Sequence, residues 1–214
     1  VIQQLPMYWG QQTFLSGPVY MGAVIVFLFF AAMISLKARW KWGALGGVVL
    51  TLLLSWGSTF PLIFDLFFYN FPQFNKFRTP SMVLVIPMVL CTTLAVYYLH
   101  TLLFNRDRLV DNFQKQLLYV LYGVGGFCLL VAFLPELFGD FTKTADDRLA
   151  QAGYPMGAIV QDRIAMARSD AFRSLVIVVL TFGILFLYIQ GRIQKALHVL
   201  LAIGALAIGD LWMV

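Results

Sequence analysis

Residues 19–36 read VYMGAVIVFLFFAAMISL, with no charged side chain in the run. Pro18 stands before it. Lys37, Arg39 and Lys41 close it, interleaved with Trp40 and Trp42. A helix over residues 18–36, rising about 1.5 Å per residue, comes close to the roughly 30 Å hydrocarbon core of a bilayer. Five more apolar runs follow, at residues 43–60, 81–104, 116–134, 174–190 and from 196 onward. The second is short and glycine-rich at its start. The third contains Pro87, which a membrane helix tolerates when neighbouring helices satisfy the freed carbonyl. The sequence therefore predicts an all-α fold: a polytopic transmembrane bundle of about six membrane helices, with interfacial helices in its outer loops.

Composition agrees. Of 214 residues, 61% are hydrophobic and 12% charged, and mean hydropathy is +0.83. Globular chains are typically about 45–50% apolar and about 25% charged, so a soluble domain is excluded. Disorder needs the opposite balance. The net charge of +5 would suggest nucleic acid in a soluble protein. Here the cations sit in short loops between apolar runs, so no nucleic-acid partner is expected and membrane lipids are. Cys91 and Cys128 lie inside apolar runs and read as small apolar packing. Without an initiator Met or a basic leader, and with its end inside an apolar run, the chain is expected to be an internal piece of a larger protein. Residues 1–214 form one polytopic region.

The connections are unequal. Residues 37–42, 105–115 and 191–195 are short and carry 3, 3 and 2 Lys/Arg, whereas residues 1–17 carry none. Residues 58–80 hold Lys76 and Arg78 against Asp65, and residues 135–173 hold five basic and six acidic side chains. The basic connections alternate with the others. An excess of Lys/Arg marks cytoplasmic loops, so residues 58–80 and 135–173 are expected to be outward-facing loops in a multi-pass protein.

Three segments could carry chemistry. In STFPLIFDLFFYNFPQFNKFRTP, residues 58–80, the stretch 61–68 is too short to span and reads as an interfacial or re-entrant helix with Pro61 at its start. Lys76 and Arg78 follow. They read as a cationic clamp for a phosphate or pyrophosphate, or as headgroup snorkelling and pairing with Asp65. In residues 135–173, Thr144 reads as the N-cap of a helix opening on Asp146 and Asp147. A second amphipathic helix is expected over 157–173, its charges mostly a solvated face, with Asp170 and Arg173 spaced to pair. The third segment is Asp210 in IGDLW, an acid inside an apolar run and hence a functional candidate. Candidate substrate-binding residues are Lys76, Arg78, Asp210 and Asp65. His100 and His198 stand singly at inner helix ends and read as structural or interfacial. No spacing suggests a metal or cofactor.

Four stretches taken together resemble the YfhO-like membrane proteins of Bacteroidetes-type bacteria. They are YWGQQ with SGPVY (residues 8–12 and 16–20), LSWG with FNKFRTPS (54–57 and 74–81), DR with DAFRS (162–163 and 170–174), and GDLW (209–212). That family is similar to the GT-C glycosyltransferases. The resemblance implies transfer of a sugar from a polyprenyl-phosphate donor to a cell-envelope acceptor, at the outer face of the bacterial inner (cytoplasmic) membrane. It implies a catalytic acid in a first outer loop upstream of this chain, so no catalytic residue is assigned here. Lys76 and Arg78 match a Phe-Arg-x-Pro-like stretch suited to the donor phosphate, and Asp210 would bind sugar hydroxyls or a cation. Two other readings stand beside it: a transporter or flippase for a lipid-linked substrate, and a non-catalytic membrane scaffold.

Overall fold

The computed structural model describes residues 20–57, 61–71, 80–142, 146–151 and 153–213. The described residues are helical, without strands: α1 (Ala23–Ser35), α2 (Trp40–Ser55), α3 (Pro61–Asn70), α4 (Val85–Phe104), α5 (Phe113–Val120), α6 (Gly126–Phe133), α7 (Asp146–Gln151), α8 (Met156–Ile189) and α9 (Ala196–Trp212). A 3₁₀ turn at Pro80–Leu84 leads into α4, and a π turn at Leu121–Gly125 joins α5 to α6. Thus Met82–Phe104, Phe113–Phe133 and Met156–Ile189 are three helices long and apolar enough to cross a membrane. Only 33%, 22% and 22% of their most apolar windows are buried within the chain. The remaining apolar surface calls for lipid contact.

Helix α1 is the centre. Its sequence is apolar on every side, so every side can be buried. Val24, Phe27, Leu28, Ala31 and Ala32 are each at most 2% exposed. It packs against α4, α5, α8 and α9 and touches α2. From α4, Leu94, Ala95, Tyr98 and Leu102 meet it, all fully buried. Gly47 allows α2 to approach α4, where a Cβ would stand 3.0 Å from Leu90 Cδ1.

The three basic connections gather at one end of the bundle. Leu36 and Leu109 form an antiparallel bridge. Lys37 N donates to Arg108 O at 3.1 Å and Val110 N to Ser35 O at 3.0 Å. At the start of the third connection, Tyr188 on α8 donates its hydroxyl to Leu103 O at 3.1 Å. The Arg106 guanidinium lies 4.9 Å from the Tyr188 ring centre.

Several expectations change. Of six anticipated spans, three have the length among the described residues. The run over 18–36 yields a helix of only 13 residues, because Gly22 takes φ +94 and Leu36 turns extended to join the bridge. Helices α2 and α9 have 16 and 17 residues. Conversely, the two helices expected over 157–173 and 174–190 are one helix of 34 residues, about 51 Å long. Nothing at Arg173-Ser174 breaks it, since neither residue disrupts a helix as Gly or Pro does. The short helix after Pro61 forms as expected, as α3, and touches α2.

A buried ion pair fastens the 135–151 region to α8. Arg163 is fully buried. Its two terminal nitrogens donate to Asp146 Oδ2 at 2.8 Å and Oδ1 at 3.0 Å, and Nη1 also donates to Phe141 O at 2.8 Å. Phe141 is buried with φ +52, a conformation uncommon for a residue with a Cβ. Most charges of residues 157–173 are expected on a solvated face; Arg163 instead pairs with a carboxylate of another element. Removing one partner of a buried pair costs about 3–5 kcal/mol, whereas replacing both by apolar groups is close to neutral. Asp146→Ala is therefore expected to lower unfolding stability by about 3 kcal/mol, and adding Arg163→Met to recover most of it. Denaturant unfolding in detergent, followed by protease cutting within residues 135–151, checks this. Equal stability of Asp146→Ala and wild type would refute the clasp.

Candidate functional site

At the end of α1 opposite the basic connections, polar groups converge. Gly22, the residue before α1, has no side chain with which to cap the helix. Its first N–H groups lack intrahelical partners. Asp210 on α9 supplies the missing acceptor: Ala23 N donates to its Oδ2 at 2.6 Å. The Tyr20 hydroxyl donates to Asp210 Oδ1 at 2.7 Å, and Ala23 N also lies 3.3 Å from that hydroxyl. A carboxylate against a helix N-terminus gains from the helix dipole as well as from the hydrogen bond. Asp210 is 0% exposed.

Gly22 is required by the same arrangement. At φ +94 a residue with a Cβ is strained, and the added Cβ would sit 3.3 Å from Asp210 Oδ2. Arg173 on α8 forms the outer layer. Its guanidinium lies 5.5 Å from the Tyr20 ring centre. Its Nη1 donates to Met213 O at 3.0 Å and pairs with Asp170 at 3.3 Å. That last pair matches the i,i+3 spacing. The cluster thus ties α8 and α9 to the first turn of α1.

The candidate residues fall in different places. Asp210 lies inside this cluster, with both oxygens engaged at the first turn of α1. Asp65 is exposed on α3. Lys76 and Arg78 lie outside the described residues, as does Thr144. Asp147 and Asp162 are exposed. His100 packs its ring against Phe104 at 5.3 Å. Among the described residues no group of three or more His, Cys, Asp or Glu is placed to hold a metal. Sequence reasoning missed Tyr20 and Arg173 as partners of this cluster. Their signal was faint: Tyr20 precedes a glycine at a helix start, and Arg173 stands where a polar helix face turns apolar.

Asp210→Ala removes the cap of a central helix and is expected to cost about 2 kcal/mol. Tyr20→Phe, which removes one hydrogen bond, should cost about 1 kcal/mol. Because the two act on one carboxylate, the double variant should fall short of the sum. Thermal unfolding in detergent measures all three, and full additivity would sink the shared network. Comparison with known protein families, curated proteins and solved structures finds no match.

Proposed function

We propose that this chain is part of a multi-pass protein of the bacterial inner membrane that transfers a sugar from a polyprenyl-phosphate donor to a cell-envelope acceptor. The observation that carries the reading is the segregation of charge. The basic connections are pinned together at one end by the Leu36–Leu109 bridge and the Tyr188–Leu103 hydrogen bond. By the Lys/Arg rule this end faces the cytoplasm. The start of α4, α3 and the 135–151 region then belong to the outer face. That is where the resemblance to YfhO-like proteins puts donor and acceptor. On this reading α1, α2 and α9 cross the bilayer too, although each is shorter than about 20 residues.

The chemistry rests on two kinds of residue. Arg78, with its planar fork, and Lys76 hold the donor phosphate and stabilise the charge that grows on it as the glycosidic bond breaks. Asp210 and Tyr20 keep the outer end of α1 in place. The resemblance assigns the base that takes the acceptor's proton to a first outer loop and to none of the residues named here.

Arg78→Ala in the native chain should lower transfer from a polyprenyl-phosphate sugar by about 10²-fold while leaving membrane insertion unchanged. Wild-type transfer by that variant would overturn the clamp. Orientation is checked separately, on a background with Cys91 and Cys128 replaced by alanine. A cysteine at Arg192 should react with a membrane-impermeant maleimide only after the inner face is opened, and one at Tyr154 in intact cells. The reverse pattern would invert the topology and remove the outer-face assignment.

A further inference from the structure

We propose that the basic end binds one anionic phospholipid, with its phosphate between Lys37 and Arg108 and one acyl chain along α4. This rests on the membrane placement proposed above and is independent of the transferase chemistry. A cavity of about 420 Å³ opens there, lined by Leu36, Lys37, Trp40, Tyr97, Asp107 and Arg108. The backbones of Lys37 and Arg108 are joined by a hydrogen bond of 3.1 Å. Two cations are thus rooted side by side on a fixed ladder.

Their present partners are weak and replaceable. Lys37 Nζ lies 3.4 Å from Asp107 O and 3.5 Å from Asp111 Oδ1, and that Asp111 side chain is 98% exposed. An ion pair so open to water contributes little. Arg108 Nη1 donates to the Tyr97 hydroxyl at 3.3 Å, which leaves most of its five donors for a phosphate. Residues 37–42 and 105–112 together hold five Lys/Arg and two Asp. That excess favours an anionic headgroup over a zwitterionic one.

Tyr97 is also the hinge between this cavity and an apolar groove. The groove has about 800 Å³ and runs along α4 past Met88, Val89, Thr92, Val96 and His100. From Met88 to His100 it covers about 18 Å of helix, close to one leaflet of a hydrocarbon core of about 30 Å. Trp40 packs edge-on against Tyr97 with ring centres 5.3 Å apart. The pair stands where aromatic side chains mark a membrane interface. A headgroup pocket and a leaflet-long groove sharing one wall fit a single phospholipid.

The test is native mass spectrometry of the detergent-purified protein titrated with phosphatidylglycerol, or with phosphatidylcholine of the same chains. Phosphatidylglycerol should bind more tightly. The Lys37→Gln/Arg108→Gln variant should lose about thirtyfold in that affinity, because each basic side chain at a membrane surface contributes about fivefold. Phosphatidylcholine binding should hardly change. Val96→Trp, at an exposed position of the groove, should weaken both lipids. Glycerol phosphate alone should not bind measurably. Equal affinity of the wild type for the two lipids would overturn the proposal, as would unchanged phosphatidylglycerol binding by the double variant. Glycerol phosphate binding as tightly as phosphatidylglycerol would assign the pocket to a free phosphate instead. None of these readouts involves sugar transfer. An inverted maleimide pattern alone would fault the orientation and leave the lipid measurement standing.

Discussion

The carboxylate of Asp210 against the first turn of α1 is the contact on which the bundle depends. A helix of 13 residues is about 20 Å long, and α1 is buried at both ends, with only Phe30 and Ile34 exposed along it. Its terminal N–H and C=O groups therefore cannot turn to water, and an orphaned buried backbone group is costly. At one end Asp210 and Tyr20 take up Ala23 N–H. At the other, Ser35 O accepts from Val110 N, and Leu36 O accepts from the buried Lys41 ammonium at 2.5 Å. Each terminus of the central helix is completed by a different part of the chain. Those contacts hold α9 and the 105–112 connection in register with α1.

The two ends treat charge differently. At the basic end the cations stay largely exposed: Lys37, Arg39, Arg106 and Arg108 all face outward from the protein. At the far end two charges are buried and matched: Asp210 by a helix N-terminus, and Arg163 by Asp146. A count of Lys and Arg per loop sees the first arrangement and is blind to the second. Arg163 enters such a count like any other cation, yet it bears on the packing of α7 against α8 and on no membrane surface.

That difference explains what was legible in the sequence. The all-helical class, the positions of the apolar runs and the short helix after Pro61 followed from composition and periodicity, which local chemistry determines. The grouping of the basic connections followed from alternation. Helix lengths did not follow, because α1 is shortened by a glycine at φ +94 and by a bridge from Leu36 to Leu109, far along the chain, neither of which leaves a local pattern. The unbroken α8 was missed for a related reason. Its polar first half and apolar second half change in composition at Arg173, while the backbone chemistry does not change there. Asp210 was marked as costly in an apolar run. Its partner was invisible, since Tyr20 lies 190 residues away in sequence.

The shortness of α1 also bears on how the protein would sit in a bilayer. A 13-residue helix buried on most of its sides, with only Phe30 and Ile34 exposed, does not have to match the hydrocarbon thickness itself. The long helices α4 and α8 and the α5–α6 pair present the lipid-facing surface, and they have the length to do so. Local thinning is the usual response to a short lipid-facing helix. On the proposed reading, in which α2 and α9 cross the bilayer too, it applies to them; their exposed large side chains, at or beside their ends, include Trp40, Trp42, Trp56 and Trp212. Trp settles at membrane–water interfaces. In α2 the exposed tryptophans lie at both ends, so the belts they define are set by a 16-residue helix. On that reading α2 governs the hydrophobic thickness of this part of the protein, and the basic pocket beside Trp40 falls at the level of one belt.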